Sequence, residues 1–133
     1  MSNLSTAVRN ARAEAIEATI GASAKLLIFS GAKPANCAAA DPSGLLATID
    51  LPADWLSAAA SGVVSKAGAW AGTGSGAGDA QSFRIKDNGE TTCHLQGTAG
   101  GAGSGMEMIL TNENIAIGQA VNVSAYTWTE GNA

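Results

Sequence analysis

Charge is thin in this chain of 133 residues: Asp, Glu, Lys and Arg occupy 14% of positions, against about a quarter in an ordinary soluble domain. Seven basic residues face eleven acidic ones, for a formal net charge of −4. That balance excludes the basic stripe of a nucleic-acid groove. No stretch approaches the roughly 18 consecutive apolar residues of a membrane span. Arg9, Arg12, Glu14 and Glu17 interrupt the opening residues where a secretory leader needs an unbroken apolar centre, so synthesis and retention in a cytoplasm are expected.

Chemically equipped side chains are equally scarce. His94 is the one histidine, and the two cysteines, Cys37 and Cys93, lie far apart with no CxxC or HxxxH spacing. Strand alternation would also turn Cys93 and His94 to opposite faces, which argues against a shared metal site. Cytoplasmic origin favours two buried thiols over a Cys37–Cys93 disulfide, although the sequence permits either. A lone histidine without a GxSxG elbow leaves nucleophilic hydrolysis without its parts. The carboxylates Asp50, Asp54, Asp79, Asp87, Glu90 and Glu107 fall beside turns and strand ends, where acids serve solubility. The run GTGSGAG has the spaced glycines of a phosphate loop, but no Gly-Lys-Ser/Thr follows and no helix opens after it. The expectation is a protein that is not an enzyme and carries no metal and no cofactor.

What is abundant is small. Alanine supplies 28 residues and glycine 17, so three Trp, two Phe and one Tyr must anchor much of the packing. The tracts WAGTGSGAGDA and GTAGGAGSG are almost free of side chains. Glycine loses the most conformational freedom on folding, so these tracts are expected to order only against compensating contacts, a partner surface being the simplest.

The length fits one domain over residues 1–133, with a helical segment at 1–21 and strands over 22–133. STAVRNARAEAIEATI predicts the helix, capped by Ser5 or Thr6 and closed by Gly21. Leu4, Val8, Ala11, Ala15 and Ala18 make a narrow stripe with Ile16 and Ile20 on its shoulder. This stripe is expected to lie on a neighbour, with Glu14 and Glu17 facing water. KLLIFS reads as a buried strand, and 31–43 as a loop punctuated by Pro34 and Pro42. In LLATIDL, Leu45, Ala47, Ile49 and Leu51 share a side. A turn follows at 52–55, with Asp54 a candidate cap for 55–60, and a strand over 63–71 ends near Trp70.

Residues 79–97 form the clearest hairpin. A three-residue loop, Asp87-Asn88-Gly89 with Gly89 left-handed, gathers Phe83, Ile85, Cys93 and Leu95 on one face. It leaves Arg84, Lys86, Glu90, Thr92 and His94 on the other, with Lys86 opposite Glu90. Residues 106–110 and 120–129 are the last strands, around a loop with a buried contact at Ile115 or Ile117. Val121, Val123 and Ala125 point one way and Tyr126 and Trp128 the other, so the final strand is expected to be buried on both faces, one of them by a partner. Short strands at this spacing imply a mainly β chain, an antiparallel β-sandwich of jelly-roll type with one N-terminal helix. Trp55, Trp70, Trp128 and Tyr126 are candidates for core packing or subunit contact, with a sugar-stacking platform as the alternative.

Four stretches, NARAEAIEATIGASAKLLIFSGAKPANCAAAD, LLATIDLPADW, FRIKDNGETTCHLQG and IAIGQAVNVSAYTWTEGNA, together resemble a family of short structural proteins of tailed bacteriophages and prophages. The resemblance implies a β-rich virion protein present in many copies, and it brings no catalytic residues. Within that class a capsid decoration or cement protein is expected, a homo-oligomer, commonly a trimer, bound to the major capsid protein and located in the virion. Its candidate interface residues are Val8, Ala11, Ala15, Ile16, Trp55, Trp70, Tyr126 and Trp128. A tail, neck or fibre-associated protein and a glycan-binding attachment module are the alternative readings.

Overall fold

A computed structural model describes residues 2–132 of the chain. Ser5 adopts extended backbone angles and its Oγ accepts the Val8 amide at 3.3 Å, capping helix α1 (Thr6–Ile20). Gly21, at φ +97°, ends the helix by donating to the Glu17 carbonyl at 2.8 Å.

Ten strands follow: β1 (Lys25–Phe29), β2 (Leu45–Asp50), β3 (Val63–Ser65), β4 (Ala71–Thr73), β5 (Gly78–Asp79), β6 (Ser82–Lys86), β7 (Cys93–Gly100), β8 (Met108–Leu110), β9 (Asn114–Ile115) and β10 (Ala120–Thr129). Eight of them form one sheet in the order β2-β1-β6-β7-β8-β10-β3, with β4 also on β10, while β5 and β9 pair separately. The chain is thus mainly β with one N-terminal helix. The layering differs from the expected antiparallel sandwich: β7 and β8 run parallel, and a single mixed sheet curls on itself. Curling brings the edge strand β2 to the segment after β4. There Ala47 bridges Gly74, and the amides of Ser75 and Gly76 donate to the Leu46 carbonyl at 2.8 and 3.1 Å. An edge that would otherwise expose unpaired backbone is thereby covered.

Three irregularities redirect side chains, because one extra residue reverses strand alternation beyond it. In the β1/β2 pair Ile28 faces Ala47 and Phe29 faces Leu45, so Leu46 is the extra residue. Leu46 is buried and Leu45 exposed, which corrects the expectation for Leu45. In β10 the register shifts between Val123 and Ala125, and the Ser124 hydroxyl donates to the Ile109 carbonyl at 3.1 Å. Beyond the shift Tyr126 turns inward like Val121 and Val123, so this strand has one buried face rather than the two expected.

The third shift lies between Ile85 and Lys86, where Lys86 pairs with Cys93. Phe83, Ile85 and Leu95 share a side as expected, but Cys93 joins Arg84 and Lys86 instead of them. The connecting loop is longer than three residues, and its left-handed position is Glu90, at φ +56°, not Gly89. Asp87 organises it: its carboxylate accepts the Thr91 and Thr92 amides at 2.8 and 3.2 Å and the Thr91 hydroxyl at 2.6 Å. These three bonds, with that to the Thr91 hydroxyl foremost, hold the exposed Asp87 carboxyl below its ordinary 3.8.

Inside the curl, Trp55, Trp70, Tyr126 and Phe83 form a line of ring contacts with centroids 5.9, 5.8 and 5.5 Å apart. Trp55 and Trp70 are 0% and 1% exposed. The Trp70 indole N–H donates to the Trp55 and Ala67 carbonyls at 3.2 and 3.1 Å, so its burial leaves no polar atom stranded. Ile115 is the buried contact of the loop after β8, and Ile117 is 75% exposed.

The first glycine tract packs within the chain. A Cβ on Gly74 would sit 2.2 Å from the Ala116 carbonyl oxygen, and one on Gly76 2.4 Å from that of Leu45. These residues are glycine because backbone passes backbone there. The compensation expected from a partner is intramolecular over 72–78. Trp70→Ala should cost about 3–5 kcal/mol of stability, read as a lowered urea midpoint. A loss below about 1 kcal/mol would mean that the aromatic line is not a principal support of the core.

Candidate functional site

Helix α1 attaches to the sheet through polar side chains. Glu17 Oε2 accepts the amides of Trp55 and Leu56 at 2.6 and 2.7 Å, and Glu14 Oε1 accepts that of Ala59 at 3.0 Å. Asn10 Oδ1 accepts the Gly62 amide at 2.7 Å, while Arg9 donates to the carbonyls of Ser61 and Glu130 at 2.9 and 3.2 Å. Arg12 adds an ion pair to Glu130 at 3.0 Å, and Glu130 also accepts the Trp128 indole N–H at 2.5 Å. Segment 55–62 is therefore not a capped turn led by Asp54. It carries bridges from Leu56 to Lys66 and from Ala60 to Val63, turns at Ser61 and Gly62 with φ +51° and +77°, and takes acceptors for its free amides from the helix.

This attachment reverses the helix relative to expectation. Glu14 and Glu17 engage the protein, and Ala13 and Ile20 are the buried helical residues. Val8 is 45% exposed, and Ala11, Ala15 and Ala18 are exposed too. The small apolar stripe faces outward, and its residues are exposed among the described residues.

Beside the stripe runs a groove of about 310 Å³ between the helix and the sheet, lined by Ala15, Ile16, Ile20, Leu95 and Trp128, with Arg12 and His94 at its rim. Of the sequence candidates, Val8, Ala11, Ala15, Ile16 and Trp128 come together on this face. Trp55, Trp70 and Tyr126 do not. They are core residues, and their assignment to an interface is corrected by their enclosure inside the curl. The same burial removes a sugar-stacking platform built from all three tryptophans.

His94 and Leu95 were not among the candidates. His94 is the extra residue at the register shift near Lys86, for which single-strand periodicity carries no signal, whereas Leu95 keeps its expected place opposite Ile85. The roles of Glu14 and Glu17 had a signal of sorts: Arg9, Asn10, Glu14 and Glu17 recur at helical spacing, a polar stripe as regular as the apolar one.

A second cluster lies under loop 31–43, which covers the sheet face expected to meet water. Arg84, 2% exposed, donates Nη1 to the Ala39 carbonyl and Asp41 Oδ1 at 2.9 and 3.0 Å. Its Nη2 donates to the Asn36 carbonyl and Gln96 Oε1, both at 3.1 Å. Lys86 reaches Asp41 Oδ2 at 2.8 Å, so its partner is Asp41 rather than Glu90. The hydrogen bond from Lys86, helped by its charge and by Arg84 and opposed by burial, holds the Asp41 carboxyl below its ordinary 3.8. Among the described residues no group of three or more His, Cys, Asp or Glu is placed to hold a metal ion. Among the described residues no helix is long and apolar enough to cross a membrane.

Comparison with protein-family models, with curated proteins and with solved structures finds no match to this chain.

Two outcomes follow from these contacts. Glu17→Ala strands the Trp55 and Leu56 amides and should cost about 2–4 kcal/mol, with faster hydrogen exchange at both. Unchanged exchange there would show that the helix is held by other contacts. Asp41 has a depressed folded pKa, so its contribution is full above pH 3.8 and fades as pH falls through the lower folded value. The stability gap between wild type and Asp41→Asn, from urea midpoints, should be constant above pH 3.8 and shrink below it.

Proposed function

We propose that this protein is a structural component of a bacteriophage virion, a decoration protein that binds the outside of the head and stabilises it through surface burial. The observation that carries the reading is the orientation of α1. A helix on a monomer's surface ordinarily buries its apolar side and exposes its charged one. Here Glu14, Glu17, Asn10 and Arg9 are consumed in holding the helix down, which leaves Val8, Ala11, Ala15 and Ala18 outward beside the Ile16, Leu95 and Trp128 groove. Small side chains let another backbone approach closely, and Trp128 offers the large anchor that protein interfaces favour.

The sequence resemblance supplies the setting, and the thin charge fits a surface meant to be covered. Copies of this chain, grouped around a symmetry point as a trimer, would bury this face against one another and against the major capsid protein. The mechanism is mechanical. Binding energy realised only on the assembled shell raises the cost of taking that shell apart. An interface of standard size, about 1,600 Å² in total, is enough for such a role.

Purified particles test the reading. A copy number that scales with the capsomers is expected, whereas six or twelve copies per particle would place the protein on the tail axis. Val8→Glu combined with Ala15→Glu should leave monomer stability within about 0.5 kcal/mol, since both sites are exposed. The pair should lower occupancy on particles at least about tenfold. Wild-type occupancy of the double variant would overturn the assignment of this face.

A further inference from the structure

We infer that Cys37 and Cys93 are a redox-closable pair, a covalent strap between loop 31–43 and the start of β7. The two residues stand 56 positions apart, yet their sulfurs lie 2.7 Å from each other, with the Cys93 thiol donating to Cys37 Sγ. A disulfide needs about 2.05 Å, so the bond requires less than an ångström of approach. Both cysteines carry free thiols and both are half-buried.

The surroundings bring the sulfurs together by independent contacts. Arg84 pins the loop on either side of Cys37, through the carbonyls of Asn36 and Ala39. Two loop amides, those of Ala38 and Ala39, donate to Asn36 Oδ1 at 3.0 and 3.1 Å and fix the turn that carries Cys37. From the other side, the register shift beside Lys86 turns Cys93 toward the loop rather than toward the core. An open recess of about 360 Å³, lined by both cysteines with Asp41, Lys86, Thr91 and Thr92, lets a small reagent reach the pair. Burial, then the contact with Cys37, pushes the Cys93 thiol up to about 12, which keeps that sulfur protonated in the reduced form.

The oxidant is a low-molecular-weight disulfide such as oxidised glutathione. One cysteine loses its proton and attacks a sulfur of the reagent, forming a mixed disulfide and releasing one small thiolate. The second cysteine, losing its proton in turn, attacks the protein sulfur of that mixed disulfide and expels the second small thiolate. Two electrons pass to the reagent, the two protons end on its two thiols, and the chain keeps one Cys37–Cys93 bond. The bond locks loop 31–43 over the buried Arg84 and closes a long chain loop, which limits the unfolded state most when the loop is long. This inference does not depend on the proposed virion role.

The test treats the full chain with oxidised glutathione under native conditions. Expected are an intact mass lower by two hydrogen atoms, a crosslinked peptide joining residues 37 and 93, and a Tm raised by about 5–15 °C that falls back with a reductant. Cys37→Ser with Cys93→Ser should show none of these changes. Two thiols that stay open to alkylation, stable glutathione adducts, or disulfide-linked dimers in place of the internal bond would each overturn the inference. So would an internal bond that leaves Tm unmoved.

Discussion

The contact on which the rest of this structure depends is the carboxylate of Glu17 receiving the backbone amides of Trp55 and Leu56. It acts at both ends. It fixes the helix against the sheet, and it holds Trp55 where its indole closes the aromatic line and donates to the Gly21 carbonyl at 3.0 Å. Segment 55–62 is too short and irregular to satisfy its own amides through a strand ladder, and buried amides without partners are costly. The helix meets that need with Glu14, Glu17 and Asn10, and in doing so it gives up the water-facing role its charged residues would ordinarily take.

The chain announces some of this and conceals the rest. Element types were legible: α1, β1, β2, β6, β7 and β10 fall where periodicity, caps and β-branched residues place them, because those signals are local. What periodicity misses is the insertion of one residue in a ladder. Leu46, Ser124 and the residues around Lys86 each break alternation, and each break moves a functional or core side chain to the other face. A shift of this kind is decided by the partner strand, so no window along one strand reports it. The exposure of Leu45, the inward turn of Tyr126 and the meeting of Cys93 with Cys37 share that origin.

The glycine tracts teach a related lesson. Composition alone suggested chain that needs an external surface to order it. In the structure Gly74 and Gly76 lie against carbonyls of segment 113–118 and of β2, where any side chain would collide. Gly97 is similarly tight, with a Cβ position 2.6 Å from the Phe83 ring. Only the far end of the second tract, around Gly103 and Gly105, has open space beside it. Close approach lets the sheet curl until β2 is covered, and it explains the abundance of glycine without flexibility.

The reversed helix and the covered edge together bear on the proposed mode of association. A curled sheet whose edge strand β2 is bridged to the chain after β4 offers little backbone for strand addition there, one recurring way for β-rich chains to join. Its aromatic residues, apart from Trp128, are committed to the interior. The proposed association would then proceed through side-chain surfaces, and α1 with Leu95 and Trp128 lines an apolar one. Holding that helix by hydrogen bonds to backbone has a further consequence. Such bonds have fixed directions, whereas apolar packing tolerates sliding, so the exposed stripe is presented in one orientation. A small-residue surface presented in one orientation loses little side-chain freedom when it is covered, which suits the interface proposed for it.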